Sequence, residues 1–475
     1  MTLKNQNKQN LHRLILVTNR EPFHCVDRDG KIYIERSTGG LVTALEPAME
    51  HAHEAVWISA NHENAISSES VQQEIPYRWI AVNYDKSLHE GYYSGFSNRV
   101  LWPLFHSMIG NHMKFQIGEW NHYQEVNREF ANTIMQISKS DDFIWIHDYQ
   151  LTLVPDFLRK RKIDPNIRIG FFLHIPFPSY DLFRTLPWGA EILKGMLGAN
   201  LIGFHINDYS QHFFNCVEAI LKIRCDRSRG LIYYENRVIR VKAIPIGINV
   251  VKVHEFVSDK AIIASSKKLR EEIGAKCLIM GVDRLDYTKG ILKRLSALEK
   301  FYERYPKHRR QVSMIQLAVP SRTEIEQYQE LREEIERLVG HINGLYAQPG
   351  WTPITYMCRS LPPHDLFALY HAADIGLVTP LRDGMNLVAK EYVAAHHNNA
   401  GVLILSELAG AAEELTDAIL VNPYDDNAMA DAINTAVRMP LAEQKRRMKK
   451  LNEIIMHYDV YDWVNKFTSE AYRND

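Results

Sequence analysis

Acidic, basic, amide and glycine residues are concentrated between positions 380 and 392, directly after a short apolar run. The run at 374–379 is typical of a buried strand, and 386–397 is rich in helix formers. Positions 382–385 are therefore predicted to turn from a strand into a helix. Free backbone N–H groups at the start of that helix, near Leu387, carry the positive end of the helix dipole and can hold a phosphate.

Two carboxylates flank this predicted anion site. Asp383 lies at the mouth of the turn, and Glu391 lies about 7.5 Å further along the helix axis at 1.5 Å per residue. This spacing suits a ligand with hydroxyl groups on both sides of a diphosphate, such as a nucleotide sugar. The alternative is an Asp that caps the helix beside a solvated Glu, which is the commoner role of a single Asp-Gly turn. Residues elsewhere in the chain are needed to distinguish a nucleotide-sugar site from a helix cap.

Length and composition limit the class of protein. The 475 residues exceed what one hydrophobic core usually supports, so two domains are expected. A formal charge of −1 points to neither nucleic acid nor an anionic membrane as a partner. No apolar stretch has the length and position of an export signal or a membrane span. The sequence leaves open whether the protein forms a homo-oligomer. Five widely spaced cysteines without a Cys-x-x-Cys pair argue against a disulfide framework or a zinc site and favour the cytoplasm: Cys25, Cys216, Cys225, Cys277 and Cys358.

Short apolar runs alternate with segments of helical composition, which predicts a mostly parallel, doubly wound α/β sheet in each half of the chain. In the first half, polar residues directly follow several runs: Arg20, His147 with Asp148, His174, and His205. Ligands of open α/β sheets bind at the carboxyl ends of the strands, so we expect these side chains to share one crevice. The runs are 14–17, 55–58, 79–82, 143–146, 169–173, 201–204 and 238–244.

A glycine pair, Gly39-Gly40, follows a polar segment with a predicted turn at Asp29-Gly30 and leads into a predicted helix. Glycine lets a backbone approach a phosphate closely. The pair is not part of a G-x-G-x-x-G sequence, so a dinucleotide-dependent oxidoreductase loses its main sequence support.

The predicted domains are residues 1–250 and 251–455, because the Pro- and Gly-containing segment 245–249 interrupts the strand-helix pattern. A C-terminal helix, 456–475, carries Trp463 and Phe467 at helical spacing and is expected to pack back on the N-terminal domain.

The second domain opens with an apolar run at 277–282, and Arg284 and Lys289 follow it. Both cations therefore belong to a loop at the carboxyl end of a strand, in the position equivalent to that of Asp383. Two cations in such a loop complement a diphosphate. No His, Asp and Glu cluster has metal-ligand spacing.

The chain resembles the trehalose-6-phosphate synthase family over nearly its full length. Many motifs occur in the order found in that family. They are Val17–Arg20, Gly39–Leu41, Phe96–Asn98, Leu101–Pro103, Trp145–Tyr149, Gly170–Pro178, Pro245–Gly247, Arg284–Tyr287, Lys289–Gly290, Gly350–Pro353 and Pro380–Tyr392.

The resemblance implies two Rossmann-like domains facing a cleft, the GT-B type of glycosyltransferase. It implies transfer of glucose from a nucleotide diphosphate glucose to a phosphorylated acceptor with retention at the anomeric carbon, without a metal or another cofactor. No carboxylate acts as a covalent nucleophile, in contrast to retaining glycosidases. The leaving phosphate instead takes the proton of the acceptor hydroxyl.

Residue roles follow from the same resemblance. Arg284 and Lys289 match the diphosphate clamp, and Gly40 matches the loop whose amide meets the distal phosphate. His174 and Asp383 match ligands of the donor-sugar hydroxyls, and Asp148 matches a residue at the acceptor hydroxyl. The remaining donor-side positions are Met385, Asn386, Leu387 and, at the ribose, Glu391. The acceptor-phosphate positions are Arg20, Tyr93, Trp102 and Arg322.

The chain departs from the family motifs at two places, both on the acceptor side. Ser59-Ala60-Asn61-His62 stands where many family members have Gly-Trp-Ser-Gly, and Gln150 stands where they have His. Asn19–Pro22 and Gly203–His205 are also similar to glucosylglycerol-phosphate synthases, which use glycerol 3-phosphate. Glucose 6-phosphate is the leading acceptor, glycerol 3-phosphate is the alternative, and a nucleotide-sugar-binding regulator without turnover is the alternative from another class. The sequence leaves the nucleotide base open.

Overall fold

The computed structural model describes residues 11–28, 31–36, 40–61, 77–110, 113–396 and 400–473. The predicted turn at Asp29-Gly30, and also Gly39 and His62, lie outside the described residues. The chain divides into two compact units, 1–246 with 460–475 and 247–459. The boundaries predicted from the sequence are 250 and 455. No described helix is long and apolar enough to cross a membrane.

The N-terminal unit contains a nine-stranded sheet in the order β5-β4-β1-β6-β7-β8-β11-β10-β9. All neighbouring strands pair parallel, including β11 with β8, except that β10 pairs antiparallel with both β9 and β11. A separate antiparallel pair, β2 with β3, precedes the first helix. The bounds are β1 Leu11–Thr18, β2 Phe23–Arg28, β3 Lys31–Arg36, β4 Ala52–Asn61, β5 Arg78–Asn83, β6 Phe143–His147, β7 Arg168–Phe172, β8 Leu201–Phe204, β9 Cys225–Asp226, β10 Leu231–Tyr234 and β11 Arg237–Ala243.

The helices of this unit connect the parallel strands. Two π-helical segments, Glu90–Leu101 and Val217–Leu221, and a 3-10 turn, Tyr149–Leu151, lie among them. The α-helices are α1 Gly40–His51, α2 Lys86–His89, α3 Trp102–Phe105, α4 Ile117–Ile137, α5 Val154–Lys160, α6 Tyr180–Phe183, α7 Gly189–Met196, α8 Asn207–Cys216 and, from the end of the chain, α17 Val460–Tyr472.

Helix α17 packs on the sheet of the N-terminal unit through buried aromatic side chains. Trp463 and Phe467 are both 0% exposed, and the Phe467 ring stacks on Trp145 with 4.6 Å between ring centroids. A Cβ at Gly170 in β7 or at Gly203 in β8 would come within 2.6 Å of the Phe467 ring. Glycine at these two positions therefore allows the helix to approach the sheet.

The C-terminal unit contains a six-stranded, fully parallel sheet in the order β14-β13-β12-β15-β16-β17. Numbered from its own first strand, this order is 3-2-1-4-5-6, the order of a Rossmann sheet. The strands are β12 Cys277–Arg284, β13 Val312–Val319, β14 Ile354–Met357, β15 Ile375–Val378, β16 Val402–Ser406 and β17 Ile419–Val421.

Amphipathic helices cover both faces of this sheet because each carries an apolar stripe at helical spacing. In α11, Ile291, Leu295 and Leu298 pack into a core that also contains Met314 of β13. Short 3-10 turns occur at 287–289, 306–308 and 410–413. The α-helices are α9 Val250–Ser258, α10 Lys260–Ile273, α11 Ile291–Arg304, α12 Glu326–Tyr346, α13 Pro363–Ala372, α14 Leu387–Ala395, α15 Asp426–Arg438 and α16 Leu441–His457.

Each sheet has a point at which the strand order reverses. It lies between β1 and β6 in the N-terminal unit and between β12 and β15 in the C-terminal unit. Crevices at the carboxyl ends of strands beside such points are the usual ligand sites of α/β folds. The predicted site residues that follow β1, β6, β12 and β15 therefore belong to two such crevices, one in each unit.

Candidate functional site

In the C-terminal unit, the loop after β12 carries the predicted diphosphate clamp. Arg284 is the last residue of β12, and Lys289 ends the 3-10 turn. Asp286 caps this turn, because its Oδ1 accepts hydrogen bonds from the amide (3.0 Å) and hydroxyl (2.9 Å) of Thr288. Gly290 follows with φ 67°, and a Cβ there would lie 2.4 Å from the Thr379 carbonyl oxygen, so the loop requires glycine.

The loop after β15 is bound to the clamp loop. The backbone amide of Leu381 donates to the carbonyl oxygen of Thr288 at 2.8 Å. Beneath both loops, the fully buried Arg294 donates from Nε to Thr379 Oγ1 at 3.0 Å and from Nη2 to the Lys289 carbonyl at 3.3 Å. Its charge is balanced by Asp283, with 2.5 Å between Nη1 and Oδ2. The two loops therefore form one cross-linked surface.

Lys289 and Asp383 meet on this surface. Lys289 Nζ lies 2.6 Å from Asp383 Oδ2, and the side chains are 12% and 13% exposed. Asn386 Nδ2 donates to the same oxygen at 3.0 Å. The structure thus brings together three residues that the sequence assigns to the diphosphate and to the donor sugar.

The helix after this loop is capped by Asn386. Its side chain accepts from the Ala389 amide at 3.1 Å, and its φ of 84° is unusual for a residue other than glycine. Helix α14 begins at Leu387 and ends at Ala395, whereas the predicted helix was 386–397. The capping role considered for Asp383 was therefore wrong: Asp383 accepts from Asn386 and Lys289 instead. Met385, also assigned to the donor site, is 3% exposed and its carbonyl accepts from the Ala411 amide at 2.8 Å.

Positive charge dominates around the clamp loop. Burial by itself raises the pKa of Asp286, but Arg322, Arg284 and Lys289 outweigh it and lower this pKa to about 2. Together with Asp383, the cluster contains three cations and two carboxylates, which leaves a net charge of one positive unit. Such a surface favours a diphosphate.

Arg322 occupies a different environment from the expected one. The prediction assigns it to the acceptor phosphate, but the structure places its Nη1 2.7 Å from Asp286 Oδ2 and 2.6 Å from the Tyr328 hydroxyl. The Arg322 side chain is 4% exposed. It therefore stabilises the clamp loop through Asp286, which is fully buried, and its role at an acceptor phosphate stays a prediction.

Glu391 lies in the second turn of α14 and accepts a hydrogen bond from the Tyr370 hydroxyl at 2.9 Å. Burial raises the pKa of Glu391 to about 7, although the Tyr370 hydrogen bond lowers it. A carboxyl group in this state exchanges its proton near neutral pH. Glu391 lies on the helix that begins after Asp383, and its role at a ribose stays a prediction.

In the N-terminal unit, the polar residues after β1, β6 and β7 surround the point where the strand order reverses. Arg20 is exposed directly after β1, beside the buried Asn19, whose Oδ1 accepts from the Tyr92 hydroxyl at 2.8 Å. Asp148 has φ 74°, and its Oδ1 accepts from the His174 amide at 3.2 Å. Positive φ at a non-glycine residue is typical of functional sites.

Other predicted acceptor residues lie on the π-helix and on the helices next to it. Tyr93 stacks on His89 with 5.1 Å between ring centroids. Trp102 is 3% exposed and packs on His106 and Tyr149, with ring centroids 4.2 Å and 5.5 Å apart.

Gly40, which is predicted to meet the distal phosphate of the donor, is the first residue of α1, as the predicted glycine-to-helix transition requires.

The residues at the two departures from the family motifs form hydrogen bonds within the N-terminal unit. Ser59 Oγ accepts from the Trp79 indole at 2.8 Å and is fully buried. Asn61 donates to Asn83 at 3.0 Å. Gln150 is 8% exposed in the 3-10 turn, and its backbone carbonyl oxygen accepts a hydrogen bond from Asn127 Nδ2 at 3.0 Å. The side chains of Ser59 and Asn61 therefore link β4 to β5.

Several residues of the site were not predicted from the sequence. Asp286 contacts Arg322, 36 positions away, and Tyr370 contacts Glu391, 21 positions away. No local sequence pattern indicates contacts at such separations. The sequence marks His147 only as a polar residue at the end of a strand, whereas in the structure its ring contacts His174. No group of three His, Cys, Asp or Glu side chains among the described residues is arranged to hold a metal ion.

Two doubly wound α/β units with charged residues at their strand-order reversals define a GT-B glycosyltransferase, as predicted. The model of glycosyltransferase family 20 matches residues 12–473, and the chain belongs to this family. The family resemblance drawn from the motifs is thereby confirmed.

Curated relatives are trehalose-phosphate synthases. The chain is 40% identical to the trehalose-6-phosphate synthase of Mycobacterium avium, over 95% of this chain and 94% of that protein. It is 39% identical to the UDP-forming alpha,alpha-trehalose-phosphate synthase A of Dictyostelium discoideum, over 98% of this chain. The match covers 64% of the length of the Dictyostelium protein.

Solved structures show the same fold. The UDP-forming alpha,alpha-trehalose-phosphate synthase from Burkholderia xenovorans in complex with glucose-6-phosphate has a TM-score of 0.88 and 33% identity, with 97% of this chain and 99% of that chain covered. A structure from E. coli bound with UDP-2-fluoro glucose has a TM-score of 0.87 and 34% identity, with 98% and 99% covered.

Proposed function

We propose that this protein is a retaining glycosyltransferase that moves glucose from a nucleotide diphosphate glucose, UDP-glucose first, to glucose 6-phosphate and forms trehalose 6-phosphate. The observation that carries the proposal is the cross-linked pair of loops in the C-terminal unit, on which Lys289 and Asp383 meet at 2.6 Å beside Arg284. The relatives that cover this chain almost fully are trehalose-6-phosphate synthases, which supports the same reaction.

The donor is held by cationic groups, which bind its diphosphate, and by carboxylates, which bind its hydroxyl groups. Arg284 and Lys289 attract the diphosphate, and the N-terminus of α14 after Asn386 adds the positive end of its dipole. Asp383 accepts hydrogen bonds from sugar hydroxyls, and Glu391 accepts them from the ribose. A diphosphate between hydroxyl-bearing groups fits this distribution of charge.

Transfer requires one bond to form and one to break at the anomeric carbon. The acceptor hydroxyl oxygen attacks this carbon while the bond to the diphosphate oxygen breaks, and the hydroxyl proton passes to a phosphate oxygen. Attack and departure on the same face retain the configuration. Negative charge develops on the diphosphate, and the preorganised cations Arg284 and Lys289 stabilise it.

The acceptor phosphate is assigned to the N-terminal unit, with Arg20, Tyr93 and Trp102 as its ligands and Asp148 near the reacting hydroxyl. Arg20 supports this assignment because it is exposed at the carboxyl end of β1. Arg322 would join these ligands by exchanging its ion pair with Asp286 for the phosphate.

A product assay tests the proposal. The protein is incubated with UDP-, GDP- or ADP-glucose and either glucose 6-phosphate or glycerol 3-phosphate, and the sugar product is identified by mass spectrometry and NMR. Trehalose 6-phosphate is expected. Glycerol 3-phosphate as the only acceptor would replace the proposed acceptor, and absence of transfer to both would reject the function. Lys289→Ala should lower kcat by about 100-fold, whereas Lys293→Ala, which removes a lysine that is 42% exposed one turn further on, should leave kcat unchanged.

We infer a cytoplasmic location from the cysteines. Cys216, Cys225, Cys277 and Cys358 are unpaired in the described part of the chain. Free thiols are the state that a reducing compartment maintains.

A further inference from the structure

Two histidine rings meet at the ends of neighbouring strands in the N-terminal unit. His147 is the last residue of β6, and His174 follows β7, its parallel neighbour. The distance between His147 Nδ1 and His174 Nε2 is 2.9 Å. His147 is completely buried, whereas His174 is partly exposed. Among the described residues, His174 is thus the hydrogen-bond partner through which His147 acts on the site.

Both rings are neutral near pH 7. Burial lowers the pKa of His147 well below its usual value, and the neighbouring His174 lowers it further. Burial likewise lowers the pKa of His174, with a further contribution from His205. A neutral imidazole has one N–H donor and one acceptor nitrogen. The 2.9 Å contact therefore couples the two tautomers, because one ring must donate and the other must accept.

The second nitrogen of His147 decides the direction of this hydrogen bond. His147 Nε2 is buried without a hydrogen-bond partner in the described structure. A proton on Nε2 would leave a buried N–H group without an acceptor, and such groups are rarer in proteins than incompletely satisfied acceptors. The proton therefore belongs on Nδ1, which faces His174.

We propose that His147 is a positioning residue that donates its Nδ1–H to His174 Nε2 and thereby places the proton of His174 on Nδ1. His174 then presents an N–H donor to the site. No hydrogen bond to His174 Nδ1 occurs among the described residues, which leaves this donor for a ligand oxygen. The kinetic consequence rests on the proposed function, in which that oxygen belongs to a hydroxyl group of the donor sugar.

The tautomer can be measured without turnover. Protein labelled with ¹⁵N-histidine gives two-bond proton–nitrogen correlation spectra that distinguish protonated from unprotonated ring nitrogens. The His174 signals are identified by their loss in His174→Gln. A protonated Nδ1 and an unprotonated Nε2 in His174 are expected. A protonated Nε2 in His174, or a doubly protonated ring at pH 7, would overturn the proposal.

Two variants of equal shape test the consequence for transfer. His147→Asn provides an amide nitrogen near the position of Nδ1, and His147→Leu provides none. We expect kcat/KM for the nucleotide sugar to fall by about 3- to 10-fold in His147→Leu, the scale of one neutral hydrogen bond, and by clearly less in His147→Asn. Equal losses in both variants, or no loss in either, would overturn the positioning role.

The two measurements separate this inference from the proposed function. If the parent protein transfers no glucose but the spectra show protonated Nδ1 in His174, the function fails and the tautomer assignment stands. If the Leu variant does not fold, the spectra of the parent protein still decide.

Discussion

Replacing Glu391 by Gln should stabilise the protein at alkaline pH. Glu391 is a buried carboxyl group whose pKa is raised by burial from 4.5 to about 7, and its hydrogen-bond partner Tyr370 donates to it at 2.9 Å. The amide of Gln keeps an oxygen that can accept this hydrogen bond but never ionises. The comparison therefore isolates the cost of a buried negative charge.

The magnitude follows from proton linkage. Between pH 4.5 and about 7 the folded state binds more protons at Glu391 than the unfolded state, so stability falls as the pH rises through this window. The difference of 2.5 pKa units (7 minus 4.5) corresponds to roughly 3 kcal/mol at pH 8, but to less than about 1 kcal/mol at pH 5. The advantage of Glu391→Gln over the parent should thus grow by about 2 kcal/mol from pH 5 to pH 8.

Thermal unfolding of parent and variant between pH 5 and pH 8 measures this growth. For a unit of this size, about 2 kcal/mol corresponds to a change of roughly 4–8 °C in the difference between their midpoints. Any constant cost of the new amide group cancels between the two pH values. Glu407→Gln, which removes an exposed carboxylate, is the control and should show no such trend. A difference that stays constant with pH would refute the buried, raised-pKa state of Glu391.

Four further predictions concern the site. Arg284→Ala and Lys289→Ala should each lower kcat by about 100-fold, the scale of one lost charge-stabilising donor, and near-normal steady-state rates would remove that residue from the mechanism. Activity should persist in EDTA; loss that magnesium or manganese restores would contradict a metal-independent reaction. Arg20→Ala should weaken acceptor phosphate by roughly 10- to 150-fold in a binding titration with nucleotide affinity unchanged. Arg322→Ala should instead destabilise folding by about 3 kcal/mol, because it breaks the buried ion pair with Asp286, while Arg284 and Lys289 still compensate part of the Asp286 charge. Unchanged acceptor affinity in Arg20→Ala, or an unchanged unfolding midpoint in Arg322→Ala, would contradict these assignments.

The parallel strands were predictable because they are short, continuous apolar runs. In the C-terminal unit, the runs at 277–282 and 374–379 correspond to β12 and β15. The antiparallel β2 and β3 were not predicted, since Phe23–Arg28 and Lys31–Arg36 mix apolar residues with charged ones. Such strands lack the continuous apolar run that a strand buried on both faces requires.

The candidate ligand-binding residues could be selected from the sequence because polar groups after parallel strands gather at one edge of a sheet. This rule selected Arg284, Lys289 and Asp383, and the structure brings Lys289 within 2.6 Å of Asp383. It depends only on chain direction and strand type. Local sequence was therefore sufficient for these positions.

Only the tertiary structure decided which partner each of these groups has. Arg322 pairs with Asp286, His147 with His174, and Tyr370 with Glu391. These pairs are separated by 36, 27 and 21 residues, respectively, and local patterns do not specify contacts at such distances along the chain. Burial then sets the protonation states, because the energy of a charge depends on the solvent and groups around it. The sequence by itself determined where the charged groups enter the site, and the packing of distant elements determined their charge and their hydrogen-bonding direction.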